Sequence, residues 1–391
     1  MRSVCQRMTV GLFLLILFGC SVLFWALPDG DFSAVENRYL QHVPAFSYEK
    51  LRSGALAAGM EDYFSDQFPW RDGWVNLKCV TELALGKGEN NGILPGRGGR
   101  LARARFDVLC GDGGCLKGYD GYDPAHVSDS CEGINRCAAA MRIPFSVLLT
   151  GRNLDVCGVD FFYPTAVSDA LLAEIEKGIN GDVNVIETVP ILREKHRAGE
   201  DVYYRTDHHW SSLGAYYAYL EVMDGFGMAE DALPASAFQR AVISEHFFGT
   251  LWSAGGIRGI APDRVELWLR GNESEFLVTA DGKVLDGLYA MDWLTRKDHY
   301  GVFLDGTHDV VTVTRRDGAA RPRLLLLKDS FANALAPFLA QHFDLILLNL
   351  SSTRQDFTHL SALVEEYHAD RALLVYTLEN VITSNKLCRL R

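Results

Sequence analysis

Short apolar runs separated by helix-like segments dominate the last third of the chain, and two similar runs occur earlier. Each run is too short for a helix and is rich in leucine, isoleucine or valine, which is typical of strands buried on both faces. Segments with helical spacing, such as Leu171 to Ile179 and Leu360 to His368, lie between them. This alternation predicts an α/β fold with a parallel sheet and right-handed crossovers. The predicted strands are Pro144 to Thr150, Val183 to Ile186, Leu324 to Leu327, Leu345 to Leu350 and Ala372 to Tyr376.

Two other regions depart from this pattern. Residues 238–316 contain short alternating or β-branched runs with glycines between them, which predict an antiparallel β-rich segment inserted into the α/β domain. Residues 29–100 are typical of helices and connectors, so we expect a helical extension packed on a core that spans 101–391. Within the extension, the aromatic residues around Pro69 predict a turn that buries Phe68 and Trp70.

The amino terminus carries an apolar run without charged residues, from Met8 to Pro28. About 20 such residues suffice to cross a bilayer as a helix. Arg2 and Arg7 precede the run and acidic residues follow it, which predicts a cytoplasmic tip, a transmembrane anchor within residues 1–28 and an extracytoplasmic remainder. A cleaved signal peptide is the alternative, but no small-x-small cleavage site stands out. The sequence before Cys20 faintly resembles a lipoprotein cleavage site, although the apolar run continues past it.

Composition narrows the class of partner. The 391 residues are 48% hydrophobic and carry a net charge of −12, which argues against nucleic acid because phosphate contacts need a basic face. None of the nine cysteines forms a CxxC pair, so a zinc ribbon is not expected. The cluster from Cys110 to Cys157 has two open interpretations: one or two disulfides, or small buried hydrophobic residues.

The sequence Asp207-His208-His209-Trp210 is the first candidate for chemistry. A carboxylate two residues from a histidine can hydrogen-bond the ring and fix its tautomer. In extended backbone, residues two apart share a side, so Asp207 should pair with His209 while His208 points away. A metal site and a structural hydrogen-bond cluster are the alternatives. No HExxH motif accompanies the pair, so we expect neither a metal nor a cofactor.

Ser330 is the candidate nucleophile. Lys328-Asp329-Ser330-Phe331 follows the predicted strand Leu324 to Leu327 and precedes a helix, and ligands of parallel sheets bind at the carboxyl ends of strands. The helix start offers free N–H groups to an oxyanion. An ordinary helix N-cap is the alternative interpretation.

A few other polar or aromatic residues could line such a site. Most of them follow predicted strands or sit one helical turn after Ser330, and one follows a Gly-Gly pair. They are candidates for substrate binding or for the oxyanion hole. The candidates are Trp210, Asn333, Arg354, Asn380 and Arg258, with Glu379 as a further rim residue.

With these motifs in hand, the sequence resembles the DHHW family, which is similar to the periplasmic alginate O-acetyltransferases of the SGNH-hydrolase-like superfamily. The resemblance rests on Asp207-His208-His209-Trp210 and Lys328-Asp329-Ser330, together with Asp66-Gln67-Phe68-Pro69-Trp70-Arg71, Phe248-Gly249-Thr250-Leu251 and Pro337-Phe338-Leu339. It implies an SGNH-like parallel sheet and a triad of Ser330, His209 and Asp207 for acyl transfer. Lys328 stands where typical SGNH enzymes carry glycine, and no Gly-x-Asn-Asp block marks a second oxyanion donor.

The function that the resemblance implies is a membrane-anchored O-acetyltransferase. Ser330 would carry an acetyl group to a hydroxyl of an exported polysaccharide, and a membrane-bound O-acyltransferase would supply that group. An acetyl esterase with the same triad is the first alternative. A non-catalytic polysaccharide-binding or assembly protein with a relic site is the second.

Overall fold

The α/β fold and parallel sheet expected from the sequence are present in a computed structural model, which describes residues 2–33, 35–36, 38–103, 123–161, 167–351, 357 and 359–390. The chain forms two compact units. The N-terminal unit comprises Met1–Asn91 with Ser253–Gly259, and the sheet unit comprises Gly92–Trp252 with Ile260–Arg391. Cys110, Cys115 and Arg354, which the sequence singled out, lie outside the described residues.

The N-terminal unit consists of helices and one short ribbon. Its elements are α1 (Arg2–Ala26), β1 (Phe32–Ser33), β2 (Arg38–Tyr39), α2 (Tyr48–Ser53), α3 (Ala55–Asp66) and α4 (Arg71–Ala84). Within α1, Gln6–Ala26 is 21 residues long with a mean hydropathy of 2.3, which is long and apolar enough to cross a bilayer.

The turn between α3 and α4 corrects one expectation. Phe68 and Trp70 are not buried: 40% and 66% of their surfaces are exposed. Instead, an ion-pair cluster organises this turn, because the buried carboxylate of Asp66 accepts two hydrogen bonds from the Arg38 guanidinium, at 2.8 and 2.5 Å. The Nε of Arg71 lies 3.6 Å from the same carboxylate. The aromatic rings are therefore left on the outer side of the turn.

From Ile93 onward the chain contains both strands and helices. In chain order the strands are β3 (Ile93–Pro95), β4 (Leu101–Arg103), β5 (Phe145–Thr150), β6 (Asn184–Glu187), β7 (Gln239–Phe247), β8 (Asp263–Leu269), β9 (Phe276–Ala280), β10 (Lys283–Leu285), β11 (Val310–Arg315), β12 (Arg323–Lys328), β13 (Asp344–Asn349) and β14 (Arg371–Thr377). The helices are α5 (Pro124–Met141), α6 (Asn153–Cys157), α7 (Val167–Gly178), α8 (Val189–Arg197), α9 (Ser212–Gly225), α10 (Thr250–Gly255), α11 (Ala332–Leu339), α12 (Leu360–Tyr367) and α13 (Leu378–Thr383).

Among the described residues the central sheet has eight strands, in the order β10-β9-β11-β13-β12-β14-β5-β6. The strands from β13 to β6 run parallel, as the sequence predicts. The β-rich segment adds β11, β9 and β10 to one edge as antiparallel strands, while β7 and β8 form a separate antiparallel ribbon. The inserted segment is thus partly an extension of the main sheet.

The middle of the sheet places three strand ends side by side. Lys328, the last residue of β12, pairs with Val375 of β14, and Thr377 at the end of β14 pairs with Thr150 at the end of β5. Because these neighbours are parallel, their carboxyl ends open on the same edge of the sheet. The turns after β5, β12 and β14 therefore meet there, and one of them carries Ser330.

Both faces of β12 are buried, as its run of leucines predicts. Leu324 and Leu326 join the hydrophobic core on one face, while Leu325 and Leu327 join the core on the other. All four are fully buried. This strand is consequently fixed by packing from both sides, which fixes the turn that follows it.

Three described cysteines of the Cys110 to Cys157 cluster behave as small buried hydrophobic residues. Cys131, Cys137 and Cys157 are buried free thiols. Burial raises the pKa of the Cys131 thiol to about 11 and that of Cys157 to about 12, which keeps both protonated and unreactive. Of the two interpretations of this cluster, the structure supports burial for these three residues.

Removing the side chain of Leu326 should destabilise the sheet, because it leaves a cavity in a fully buried strand. We expect Leu326→Ala to lower the free energy of unfolding by about 2–5 kcal/mol in urea denaturation. The control is Val284→Ala on the edge strand β10, where the side chain is 67% exposed and the expected change is within about 0.5 kcal/mol. Equal losses in the two variants would contradict the assignment of β12 to the core.

Candidate active site

A tight hairpin holds the Asp-His-His-Trp motif just before α9. Tyr203 and Trp210 form an antiparallel bridge, and the Tyr204 N–H donates to the carbonyl of His209 at 3.2 Å. The Ser211 hydroxyl then caps α9 by accepting from the Gly214 N–H, also at 3.2 Å. The motif is therefore confined between a bridge and a helix cap.

Asp263 at the start of β8 ties this hairpin to the β7–β8 ribbon. One of its carboxylate oxygens accepts from the Arg205 N–H at 2.9 Å, and the other accepts from the N–H and the hydroxyl of Thr206, at 2.8 and 2.6 Å. The carboxylate is buried, so these bonds replace its lost hydration. Sequence reasoning missed Asp263 because it lies far along the chain from the motif.

Asp207 and His209 form a buried pair, as expected. The Asp207 Oδ1 atom lies 2.6 Å from His209 Nδ1 and 3.0 Å from the His209 backbone N. The two residues are 1% and 6% exposed. An ionised carboxylate only accepts, so Nδ1 carries the ring proton and the lone pair of Nε2 is left to accept another hydrogen bond.

The second oxygen of Asp207 is held by Thr250, which sequence reasoning did not identify as functional. Its Oδ2 atom accepts from the Thr250 N–H at 2.7 Å and from the Thr250 hydroxyl at 2.9 Å. Burial alone would raise the pKa of Asp207, but His208, His209 and these hydrogen bonds outweigh it and lower the pKa below its ordinary value. The carboxylate therefore stays ionised.

The preceding Gly249 explains the Phe248-Gly249-Thr250 sequence. A Cβ atom at this position would lie 2.2 Å from the Asp207 Cβ, far inside van der Waals contact. Only glycine lets the Thr250 N–H approach the carboxylate so closely.

Ser330 lies in the turn between β12 and α11, where its hydroxyl meets the histidine. Its Oγ atom is 2.7 Å from His209 Nε2. Given the tautomer fixed by Asp207, the serine hydroxyl donates and the ring nitrogen accepts. The structure therefore brings Ser330, His209 and Asp207 together in one hydrogen-bonded line across two distant segments.

Asp329 shapes the turn that presents Ser330. It accepts from the Phe331 N–H at 3.1 Å, from the Thr377 N–H at 2.8 Å and from the Asn380 side chain at 2.9 Å. Thr377 at the end of β14 and Asn380 just beyond it thereby lock the turn after β12. Burial raises the pKa of this carboxyl, and the same hydrogen bonds oppose the rise.

Two of the proposed contact residues turn out to be buried supports. Asn333 accepts from the Lys328 Nζ atom at 2.6 Å and donates to the carbonyl of Gly306 at 2.8 Å, so its amide is engaged away from the cavity. Burial lowers the pKa of Lys328 to about 8. Trp210 is fully buried, and its indole N–H donates to the carbonyl of Phe331 at 3.1 Å.

Tyr300 forms a wall behind the histidine. Its ring stacks on His209 with the centroids 3.7 Å apart and the planes 7° from parallel, and its hydroxyl donates to the Ser330 carbonyl at 3.2 Å. This ring, which the sequence did not single out, restricts the imidazole to one plane.

A cavity of about 140 Å³ opens in front of Ser330. Asn380 and Glu379 line it, as expected for residues after β14. Arg258 belongs to the segment Ser253–Gly259 of the N-terminal unit and does not line this cavity. The lining residues that sequence reasoning missed are Arg103, Arg152, Asn153, Leu154, His208, Leu251 and Thr377.

Of these, Arg152 follows β5 and forms a fixed guanidinium on the cavity wall. Its Nε and Nη2 atoms lie 2.9 and 2.7 Å from the two carboxylate oxygens of Asp155. This bidentate pair holds the guanidinium plane in one orientation. The position of Arg152 at the end of a predicted parallel strand was the one sequence signal that could have identified it as a site residue.

His208 does not point away from the site, contrary to expectation. It lines the cavity, and its ring centroid is 3.8 Å from that of His209. The expectation assumed extended backbone, but the bond from the His209 N–H to the Asp207 side chain makes an Asx turn, so the side chains do not alternate.

Asp207, His208 and His209 lie close enough together to be considered for a metal, with one ligand atom of each within 4.8 Å of the others. However, both oxygens of Asp207 and both ring nitrogens of His209 already have protein partners. A metal ion would have to break the hydrogen bonds to Ser330 or Thr250. The arrangement is better suited to moving a proton.

The stability of the site should depend on pH through His208. The protein atoms packed around its ring and the neighbouring His209 lower its pKa from 6.5 to about 4, although 37% of the side chain is exposed. As the pH falls below 6.5, His208 therefore becomes protonated in the unfolded chain, whereas in the folded protein it stays neutral until about pH 4. The free energy of unfolding decreases across this window.

Replacing His208 by Gln should flatten the dependence of stability on pH between 6.5 and 4, measured by urea denaturation at a series of pH values. A His246→Gln variant on β7 serves as the control, because this exposed histidine lies outside the cavity, and it should keep the wild-type slope. Parallel curves for wild type and His208→Gln would contradict the environment described for this ring.

The comparisons with known proteins agree with this fold. The family model described as DHHW protein matches residues 170–348, which include Asp207, His209 and Ser330. Among solved structures, PatB1 of Bacillus cereus is similar at 20% identity and a TM-score of 0.62, over 76% of this chain and 99% of that one. A second PatB1 structure, with a sulfonyl adduct, gives 19% identity and a TM-score of 0.61, over 76% and 98% of the two chains.

A DHHW family protein from Eubacterium siraeum is similar at 17% identity and a TM-score of 0.56, over 77% of this chain and 95% of that one. No curated protein matches the sequence. At these identities the structural similarity establishes the fold. The family model and the fold together confirm the resemblance of this chain to the DHHW family.

Proposed function

We propose that the protein is a membrane-anchored, extracytoplasmic O-acetyltransferase that forms an acyl-serine at Ser330. The observation that carries the proposal is the 2.7 Å separation of Ser330 Oγ and His209 Nε2, in a ring whose other nitrogen lies 2.6 Å from Asp207. A serine hydroxyl is a weak nucleophile until a base takes its proton. The confirmed resemblance to the DHHW family supports acetyl as the transferred group.

In the first half-reaction, His209 Nε2 takes the Ser330 proton as Oγ bonds to the acetyl carbonyl carbon of a donor ester. The carbon–oxygen bond to the donor alcohol then breaks, and the imidazolium returns the proton to the departing alcohol. Asp207 stabilises the imidazolium and does not itself take the proton. The products are acetyl-Ser330 and the free alcohol.

In the second half-reaction, a hydroxyl of the acceptor gives its proton to His209 and its oxygen bonds to the acetyl carbon. The bond to Ser330 Oγ breaks and the serine regains a proton. The acceptor we propose is a hydroxyl of an exported polysaccharide, and a membrane-bound O-acyltransferase is the proposed source of the acetyl group.

The negative charge that develops on the carbonyl oxygen needs donors. The Ser330 backbone N–H is the first candidate. We assign the second to Asn380, which lines the cavity and uses one amide hydrogen for Asp329. The other amide hydrogen would be directed at the oxyanion. Asn380 would thus supply the second oxyanion donor, for which the sequence has no Gly-x-Asn-Asp block.

The proposed anchor is α1. None of the apolar segment Gln6–Ala26 is buried in the protein, so it has an apolar surface that a bilayer would cover. Phe24 near its end packs on Tyr63 and Phe64 of α3, with ring centroids 5.6 and 5.3 Å apart. These contacts are consistent with a helix that stays attached to the folded chain rather than one removed as a signal peptide.

Replacing Ser330 by Ala should abolish acetyl transfer and covalent labelling by an aryl sulfonyl fluoride, since both need the activated hydroxyl. The measurement is peptide mass spectrometry after incubation with the reagent, together with the release of p-nitrophenol from p-nitrophenyl acetate. Ser384→Ala is the matched control, because its hydroxyl contacts Tyr376 and not the triad.

Labelling and activity that survive in Ser330→Ala would end the proposal. With the wild-type protein, the acetylated product distinguishes the alternatives. Ester formation on an added oligosaccharide supports the transferase, and release of acetate alone supports the esterase. Glycan binding without any labelling would favour a non-catalytic binding protein.

The anchor should make the intact protein resist extraction from membranes with alkaline carbonate. Replacing Leu15, at the middle of the apolar run, with Arg should weaken this retention, because a central charge opposes insertion by about 2.5–3.5 kcal/mol. An amino-terminal epitope tag should remain on the mature protein. Loss of the tag from protein outside the cytoplasm would show a cleaved signal peptide instead.

A further inference from the structure

His208 occupies a prominent place in the cavity but takes no part in the proton transfer described above. The ring lines the cavity beside Ser330, and 37% of its side chain is exposed. Its Nδ1 atom lies 2.8 Å from the Thr250 hydroxyl, which in turn lies 2.9 Å from Asp207 Oδ2. His208 is therefore linked to Asp207 through Thr250, whereas His209 bonds to Asp207 directly.

The hydrogen bonds around Thr250 determine the tautomer of His208. The threonine hydroxyl has one proton, and the ionised Asp207 can only accept it. The hydroxyl oxygen must then accept from His208, so Nδ1 carries the ring proton. In a neutral ring the lone pair is consequently on Nε2, for which the described part of the chain provides no hydrogen-bond partner.

The two rings thus lie side by side, and each has an accepting Nε2 atom once acetylation removes the Ser330 hydroxyl that bonds to His209. Their centroids are 3.8 Å apart and their planes differ by 38°. Adjacent carbons of a sugar ring carry hydroxyls separated by about one hydrogen-bond length, so a vicinal diol matches a pair of side-by-side acceptors. A monohydric alcohol or water can use only one of the two.

We propose that His208 Nε2 accepts a hydrogen bond from the second hydroxyl of a vicinal diol while His209 takes the proton of the first. This assignment rests on the proposed acyl transfer and adds a selectivity to it. Holding the neighbouring hydroxyl fixes the orientation of the attacking one, which favours transfer to a sugar over loss of the acetyl group to water. His208 touches the acceptor and makes no bond to the acetyl group.

Two variants separate the nitrogen that would bind the acceptor from the nitrogen that contacts Thr250. His208→Asn places an amide near the position of Nδ1, so it keeps a donor for Thr250 and loses the acceptor at Nε2. His208→Gln reaches the position of Nε2 and gives up the contact to Thr250. If the ring had a purely structural role, His208→Asn would impair the protein less than His208→Gln. If the ring binds the acceptor, His208→Gln should impair transfer to the diol less than His208→Asn.

The experiment uses the full chain in detergent with p-nitrophenyl acetate as donor and compares ethylene glycol with ethanol at equal hydroxyl concentration. The initial burst of p-nitrophenol reports formation of acetyl-Ser330. The ratio of acetylated alcohol to acetate reports its partition between alcohol and water. The quantity of interest is the preference for the diol over ethanol in each variant, relative to wild type.

We expect His208→Asn to retain the burst and to lose diol preference by roughly 2- to 10-fold, the effect of one neutral hydrogen bond. His208→Gln should retain more of the preference. An unchanged preference in His208→Asn overturns the assignment, and so does a loss of the burst equal to the loss of transfer. A wild-type protein that forms no acetyl-Ser330 removes the proposed function and this assignment together, so the two failures are distinguishable.

Discussion

The candidate site depends on one buried carboxylate. Asp207 accepts two hydrogen bonds on each oxygen, from the backbone and ring of His209 on one side and from the backbone and hydroxyl of Thr250 on the other. Because this carboxylate is almost fully buried, each of these donors replaces water that it lost on folding. Its position fixes the His209 ring, and the bare backbone of Gly249 allows Thr250 to come close enough to hold it.

The sheet supplies the second constraint. Strands β5, β12 and β14 lie side by side in parallel, so the turns that follow them meet at one edge. Asp329 binds the turn after β12 to the end of β14 and to Asn380 beyond it. The hairpin that carries Asp207 reaches this edge through the bridge of Tyr203 with Trp210, whose indole donates to the carbonyl next to Ser330. Two segments more than a hundred residues apart are therefore joined by direct hydrogen bonds, which sequence spacing alone does not reveal.

The sequence predicts the parts of the site that follow from local rules. Buried strands show as runs of leucine or valine, and their ends mark Ser330, Asn380 and the missed Arg152. The parts that the sequence could not predict depend on contacts between residues that are far apart along the chain. Thr250 and Asp263 look ordinary until the β7–β8 ribbon brings them to the motif. The predicted orientation of His208 was wrong because an Asx turn at Asp207 replaces the extended backbone that the prediction assumed. Phe68 and Trp70 are exposed because ion pairs, rather than aromatic rings, fill the centre of their turn.

The most direct test of the account is the rate at which a sulfonyl fluoride labels Ser330 in an Asp207→Asn variant. The amide keeps the size of the side chain but presents a donor, so it no longer holds Nε2 of His209 as the accepting nitrogen. With the fold intact by circular dichroism, we expect the labelling rate to decrease by about 10⁴-fold, as for loss of the correct tautomer in such a triad. Labelling at the wild-type rate would contradict it, since Ser330 would then owe its reactivity to something other than a histidine oriented by Asp207.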